Sequence, residues 1–474
     1  MGGVINTSGF LNTFGLAADT AHNSNMLGTI TAMYEIGCCA GSLACAIIGE
    51  MLGRRYTILL GTCIMLGGTA FQCAVSTPGA MIGARIFAGL GMGFINSTAP
   101  VFQAEISPSA TRGRFVCFQL TLLNFGIMLA YWVGYGFTEL DSPWGWRVAV
   151  ALQACFQIPM AVLCLLVPES PRWLASHNKS AESLSVIARL AGRAEDDPDV
   201  QALHSEICTV VEFERSIGSG TWSDLVKSDA IHSRRRFLIA CSIQFFQQAG
   251  GINALIYYGG TMLTAAGLDS KMSSLISGVM FTWFFLASFI PWGLIDTVGR
   301  RKLLLVCISL MVVCFAVQAG MVSMVEKTNS KAAGGVATFF LFAYLGLFTT
   351  GFQAIVWVYP SEMLPLRLRA KGSAISTACN WITNYAIVQV TPIGMRNIGY
   401  KFYIVFALIN ASFLPFIYWF YPETKGLVLE DIDALFTGDI SGPASRMRYD
   451  HPTADANDHG SKMDYEHNDN KVSV

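Results

Sequence analysis

Eleven apolar runs, each near the length of a membrane-crossing helix, constrain this chain more than any other feature. Such a helix takes about 20 predominantly apolar residues. The runs fall at 26–49, 56–75, 79–103, 113–137, 145–167, 236–265, 270–295, 302–323, 334–360, 370–392 and 399–421. Inside a bilayer every backbone N–H and C=O must be satisfied internally, so runs of this length read as helices. The fold class that follows is an all-α membrane protein. Composition agrees: 53% of residues are hydrophobic and 13% charged, with mean hydropathy +0.47. Soluble domains carry about 25% charged residues.

The charges sit in tight turns between the runs, and the turns repeat. Glu50-Met51-Leu52-Gly53-Arg54-Arg55 is matched by Asp296-Thr297-Val298-Gly299-Arg300-Arg301. Glu105-Ile106-Ser107 with Arg112 and Arg114 is matched by Glu362-Met363-Leu364 with Arg367, Arg369 and Lys371. Pro168-Glu169-Ser170-Pro171-Arg172 is matched by Pro422-Glu423-Thr424-Lys425-Gly426. The offsets are 246 (50 to 296), 257 (105 to 362) and 254 (168 to 422) residues, in the same order in each half. A repeat at this distance implies two similar helical halves. Helix-end Glu and Arg residues can pair across the interface between halves, so Glu50, Arg54, Arg55, Glu105, Arg112, Glu169, Arg172, Asp296, Arg300, Arg301, Glu362, Arg369 and Glu423 form a candidate charge latch. The competing reading is that they only anchor helix ends at the water boundary.

Eleven is odd for two equal halves. Met1–Ile5 is apolar but too short to span, and reads as the last turns of a helix whose beginning is absent, so that Met1 starts near the outer end of a first helix. Lys and Arg occupy alternate short loops, whereas 9–25 has neither, so the basic loops are expected on the cytoplasmic side. The expected domains are an N-terminal bundle (1–167), a cytoplasmic linker with short helices (168–235), a C-terminal bundle (236–421) and a cytoplasmic, largely disordered tail (422–474).

Several classes are excluded. A net charge of −1 leaves no electrostatic footprint for nucleic acid. The 13 Cys include no CxxC pair, so neither a metal site nor a disulfide framework is indicated. No cofactor loop or nucleophile constellation points to an enzyme. Gly89-Leu90-Gly91-Met92-Gly93 follows no strand and reads as close helix packing. The sequons at Asn6, Asn96, Asn178 and Asn410 fall where glycosylation is not expected.

With these motifs in view, residues 1–436 resemble a sugar porter of the major facilitator superfamily, closest to fungal members. The Gly-Arg-Arg turns carry the superfamily. Gln247-Gln248-Ala249-Gly250-Gly251-Ile252-Asn253 with Tyr257-Tyr258, together with the two Pro-Glu exits, carries the sugar porters. The resemblance implies twelve spans in two pseudo-symmetric six-helix bundles, here about eleven because the first is truncated. It also implies a central sugar site and alternating access, and a multi-pass protein expected in the plasma membrane. Implied partners are a small sugar and the lipid bilayer, with no nucleic acid and no obligate protein partner. No cofactor is expected; a proton as coupling ion is left open, as is facilitated diffusion.

A sugar offers vicinal hydroxyls and apolar C–H faces, which suit side-chain amides and aromatic rings respectively. Asn253 and Tyr257 are four apart and share a helix face. Gln247 faces about 100° from Gln248, so at most one of the two is expected to point fully into the cavity. By resemblance Gln247, Gln248 and Asn253 match the family's sugar-binding amides, Trp357 its stacking indole, Asn380 and Trp381 a further pair, and Asn124 the amide of the N-terminal half. Gln353 is a local alternative donor. The competing reading is that intramembrane amides, Asn384 among them, only bond helix to helix.

Arg85 lies inside a span and is the proton-coupling candidate. By resemblance its partner is an Asp on the first helix, which would fall upstream of Met1. Otherwise Arg85 snorkels to the outer surface. Two rival functions stand beside transport: a non-transporting sugar sensor of the same fold, disfavoured by the short tail, and a truncated, non-functional gene product.

Overall fold

The computed structural model describes residues 7–16, 21–107, 112–138, 144–217, 221–227, 232–425 and Phe436. Among them every regular element is helical. The N-terminal half holds α1 (Ser8–Phe14), α2 (Ala21–Leu52), α3 (Arg54–Ala74), α4 (Pro78–Ile106), α5 (Arg112–Thr138), α6 (Gly145–Ala151) and α7 (Ala154–Leu166). Short helices α8 (Pro171–Ser176), α9 (Ser180–Ala191) and α10 (Pro198–Ile217) follow. The C-terminal half holds α11 (Ser233–Ala249), α12 (Ile252–Ala265), α13 (Ser270–Ala287), α14 (Pro291–Val298), α15 (Arg300–Thr328), α16 (Lys331–Phe348), α17 (Ala354–Met363), α18 (Leu366–Ile398) and α19 (Lys401–Phe420). The residues before Thr7 and nearly all of the tail lie outside the described residues.

Two helix starts depart from the sequence reading. The stretch from residue 9, read as a loop, contains α1: Thr7 caps it and Gly15 closes it in the left-handed region. Phe10 and Phe14 hold it by packing on Trp146, with ring centroids 5.3 and 5.4 Å apart. Helix α2 begins at Ala21 rather than 26, because a helix can run past the apolar stretch that marks its membrane-embedded part.

Among the described residues, eight helices are long and apolar enough to cross a membrane, or nine if the bent pair α13–α14 is one span. Two of the eleven expected runs are helical but more polar. The run 236–265 breaks at Gly250–Gly251 into α11 and α12. Helix α18 buries Ser373, Ser376, Thr377, Asn380 and Asn384. Both elements turn their polar residues inward, as spans carrying polar groups do. Ile47, Phe156, Leu166, Phe339, Leu408 and Trp419 are exposed, the apolar belt that a bilayer covers.

Helices α2 and α4 pack backbone to backbone through glycine: a Cβ at Gly41 would lie 2.1 Å from the Leu90 carbonyl oxygen. This is the close approach expected of Gly89–Gly93, whose Gly89 would likewise meet Tyr34. Between the halves, α8–α10 bury their own cluster, including Ala175, Ile187, Val200, Ile207 and Val211. Beyond it, bonds from Thr221 hold the Asp224 carboxyl below its usual range. Phe436 sits 5.2 Å from the guanidinium of Arg236, which is buried and donates to the Met363 carbonyl.

Candidate functional site

The break at Gly250–Gly251 organises the centre of the molecule. Gly251 has φ +96°, and a Cβ there would sit 2.8 Å from the Phe406 ring. Only glycine takes this backbone without strain. The Gly250 carbonyl, freed by the break, accepts from Tyr344 Oη at 2.8 Å and Asn410 Nδ2 at 3.0 Å. Irregular backbone at membrane depth persists where such partners satisfy it.

Beside the break lies a cavity of about 670 Å³ between the two halves. Its polar wall is a chain of amides from α11, α12 and α18. Gln248 Nε2 donates to Asn380 Oδ1 (2.9 Å), and Asn253 Nδ2 donates to Gln248 Oε1 (2.5 Å) and Asn384 Oδ1 (2.7 Å). Asn380 Nδ2 donates to Gln247 Oε1 (2.8 Å) and Gln244 Oε1 (2.7 Å). Gln247 and Gln248 therefore both border the cavity, with Asn380 between them. Tyr257, Trp357 and Trp381 also line it. The buried Nε1 of Trp381 has no hydrogen-bond partner among the described residues. The N-terminal half contributes mainly apolar surface, including Leu123, Ile127 and Tyr131.

Asn124 is placed differently from the others. It is fully buried and does not line the cavity. Its amide exchanges two bonds with that of Gln353, at 2.9 and 2.7 Å. Gln353 borders the cavity from a π-helical turn, Thr349–Gln353, and the amide pair joins the two halves.

Arg85 does not snorkel. It is buried, donates to the Ile30 and Thr31 carbonyls at 3.3 and 3.2 Å, and lies 4.5 Å from the Tyr34 ring centre.

The latch residues pair chiefly within each half, and symmetrically. Arg54 makes a two-pronged bond to Glu105 at 3.0 and 3.1 Å. Arg300 reaches Glu362 at 3.4 Å and Asp296 at 3.0 Å. Glu169 accepts the backbone N–H of Arg54 and Arg55 at 2.9 and 3.0 Å, and Glu423 does the same for Arg300 and Arg301 at 2.7 and 3.0 Å. A carboxylate on a helix N-terminus satisfies orphan donors and meets the positive end of the dipole. The turn glycines leave it room: a Cβ at Gly53 or Gly299 would lie 2.5 or 2.6 Å from that carboxylate. Arg172 donates to the Glu105 carbonyl and Arg369 to the Leu364 carbonyl, both at 3.3 Å. The Arg112 side chain lies outside the described residues. Across the halves, Glu50 pairs with Lys371 at 3.4 Å.

The sequence profile of the family described as "Sugar (and other) transporter" matches residues 1–436. The chain belongs to this family. The transporter is 37% identical over 439 residues to "MFS-type transporter oryC" of Aspergillus oryzae, covering 92% of this chain and 81% of that one. It is 34% identical to "Sugar transporter STL1" of Saccharomyces cerevisiae (88% and 73% covered), and 31% to "Polyol transporter 5" of Arabidopsis thaliana (89% and 80%). Its fold is that of the major facilitator proton:xylose symporter XylE bound to 6-bromo-6-deoxy-D-glucose. That match has TM-score 0.79 and 22% identity, and covers 92% of this chain and 95% of that one. It is thus a multi-pass membrane transporter and not an enzyme.

Two residues bonded to the cavity lining escaped the sequence reading. Gln244 supplies the inner end of the amide chain, one turn before Gln248; spacing on the same helix face was its signal. Glu35, on α2, is completely buried and accepts from Tyr257 Oη at 2.9 Å. A lone acid within the run 26–49 was the available signal.

Proposed function

We propose that the transporter moves a monosaccharide or sugar alcohol through the central cavity by alternating access, with a proton as coupling ion. The observation that carries this reading is the continuous row of neutral amides, Gln247, Gln248, Asn253, Asn380 and Asn384, on one wall of a cavity whose other wall is mainly apolar. Neutral amides donate and accept without charge, which fits vicinal hydroxyls and does not select an ion. Tyr257, Trp357 and Trp381 offer rings to the C–H faces, and the unpartnered Trp381 Nε1 offers a donor. The relatives described as sugar and polyol transporters support the substrate class.

The division at 167/168, 235/236 and 421/422 follows from this reading: two bundles that rock about the cavity, a linker and a tail. The Gly-Arg-Arg turns and the charge clusters then face the cytoplasm, in the plasma membrane, and Arg85 belongs to the proton-coupling side of the site. The test is uptake of labelled D-glucose, D-xylose and sorbitol by cells lacking their own transporters. Saturable, acid-stimulated uptake of at least one supports the reading. Sugar binding without uptake would reject it in favour of a sensor.

A further inference from the structure

One of the hydrogen bonds that join the halves beside the cavity carries an unusual carboxylate. Glu35 lies on α2, 17 residues before its end at Leu52, well away from the Gly-Arg-Arg turn. Tyr257 lies on α12, beyond the Gly250–Gly251 break and one turn past Asn253. Their bond therefore clasps the two halves on the side of the amide row that faces away from the charged turns.

The environment of Glu35 is sparse. Oε1 takes the Tyr257 hydroxyl; Oε2 is buried and has no hydrogen-bond partner among the described residues. The ionisable groups facing it are Arg85 from α4, Tyr257 from α12, and Tyr34 and Cys38 from its own helix, while α18 brings the neutral amide of Asn384. No ion pair joins Arg85 to Glu35; the Arg85 guanidinium is committed to the Ile30 and Thr31 carbonyls and to the Tyr34 ring. A carboxylate with a bare oxygen is costly at membrane depth, and a proton on that oxygen removes the charge.

We infer that Glu35 is the proton-binding carboxylate of this transporter and that its protonation at Oε2 loosens the Glu35–Tyr257 clasp between the halves. The step balances simply: one proton from water converts the carboxylate into the neutral acid. The Tyr257 hydroxyl then donates to an uncharged oxygen, and the bond loses the charge that made it strong. Arg85 is a positioning residue whose fixed positive field favours the ionised, clasped state. The inference rests on the proton-coupled reading above.

The test uses the full chain in proteoliposomes, with wild type, Glu35→Gln and Tyr257→Phe. Infrared difference spectra between acid and alkaline buffer report a protonated carboxyl without any sugar. The expected result is a titrating carboxyl band that disappears in Glu35→Gln. In Tyr257→Phe it moves toward higher pH, because the Tyr257 hydrogen bond, which favours the ionised form, is gone. Uptake of labelled D-glucose, D-xylose and sorbitol is then compared at acid and alkaline external pH. The ratio of the two rates should fall to about 1 in Glu35→Gln, as expected when the titrating group is removed. A band that survives in Glu35→Gln, or an unchanged pH ratio, overturns the assignment while leaving transport intact. A wild type that moves none of the three substrates overturns the function itself and this coupling with it. Should Glu35→Gln fail to reach the membrane, an unmoved band in Tyr257→Phe overturns the clasp on its own.

Discussion

At the residue scale, the amides of the cavity wall differ in how much they hold. Gln248 both donates to Asn380 and accepts from Asn253, so it is the link between α11, α12 and α18. Gln247 only accepts, from Asn380. Deleting the Gln248 amide leaves two neighbours without their partner, and an unmade buried bond costs about 1–3 kcal/mol. Gln248→Ala should therefore abolish saturable uptake while surface expression persists. Gln247→Ala should raise the half-saturation concentration by roughly tenfold, the equivalent of about 1.4 kcal/mol. Concentration-dependent uptake alongside surface quantification reads both. Equal effects of the two substitutions would mean that the row does not act through its hydrogen bonds. The residue types of this row were legible in the sequence. Which atom bonds which was not, since Asn380 lies 132 residues from Gln248 and meets it only after folding.

At the scale of elements, the broken helix α11–α12 shapes the site. Gly250 and Gly251 read alike in sequence but not in structure. Gly250 has an ordinary helical φ of −63°. Gly251 has φ +96°, with the Phe406 ring in the space of a side chain. Alanine in a left-handed conformation costs about 1–2 kcal/mol before any displacement of the ring. Gly251→Ala is expected to lower the melting temperature of the purified protein and suppress uptake, with Gly250→Ala clearly milder. Tryptophan-fluorescence melts in detergent decide it, and similar melts for the two variants would contradict a conformational role for Gly251. The sequence run 236–265 was long enough for one continuous span; the double glycine within it marked where continuity ends. Helix α1 was hidden for a related reason. It is held by Phe10 and Phe14 against Trp146, 132 residues beyond Phe14, and no local period announces it.

For the whole molecule, the question is what holds the halves relative to each other. The most buried charge pairs, Arg54–Glu105 and Arg300–Glu362, are internal to their halves and travel with them. Among the described residues, the contacts that cross include Asn124–Gln353 and Tyr257–Glu35 near the cavity, Tyr131–Ser274, Trp132–Thr282 and Trp292–Thr121 between α5 and the α13–α14 pair, and Lys371–Glu50 at the end with the charged turns. Glu50 is 42% exposed, so its pair with Lys371 is screened and worth no more than about 1 kcal/mol. Lys371→Met should shift the balance between the two access states by about fivefold at most. Half-saturation constants measured in right-side-out and inside-out vesicles would register it as opposite, small displacements. A loss of all uptake would show instead that the pair is needed for folding. Few-kcal/mol contacts suit a protein that must alternate, since a two-state equilibrium responds only when neither state is held far below the other.

The sequence by itself determined that this chain is a bundle of membrane helices in two related halves, because apolar run length and repeated charged turns are local properties that survive any packing. It also marked Gln248, Asn253 and Asn380 as polar residues where polarity is costly, and Arg85 likewise. Tertiary structure alone decided the partners. The Gly-Arg-Arg motifs proved to be helix starts capped by Glu169 and Glu423, contacts spanning 115 and 123 residues. The carboxylate beside Tyr257 came from α2, 222 residues away in the chain. The physical reason is common to all of these: a charge or an amide in a helix declares that it needs a partner, but which group supplies one depends on how the helices assemble.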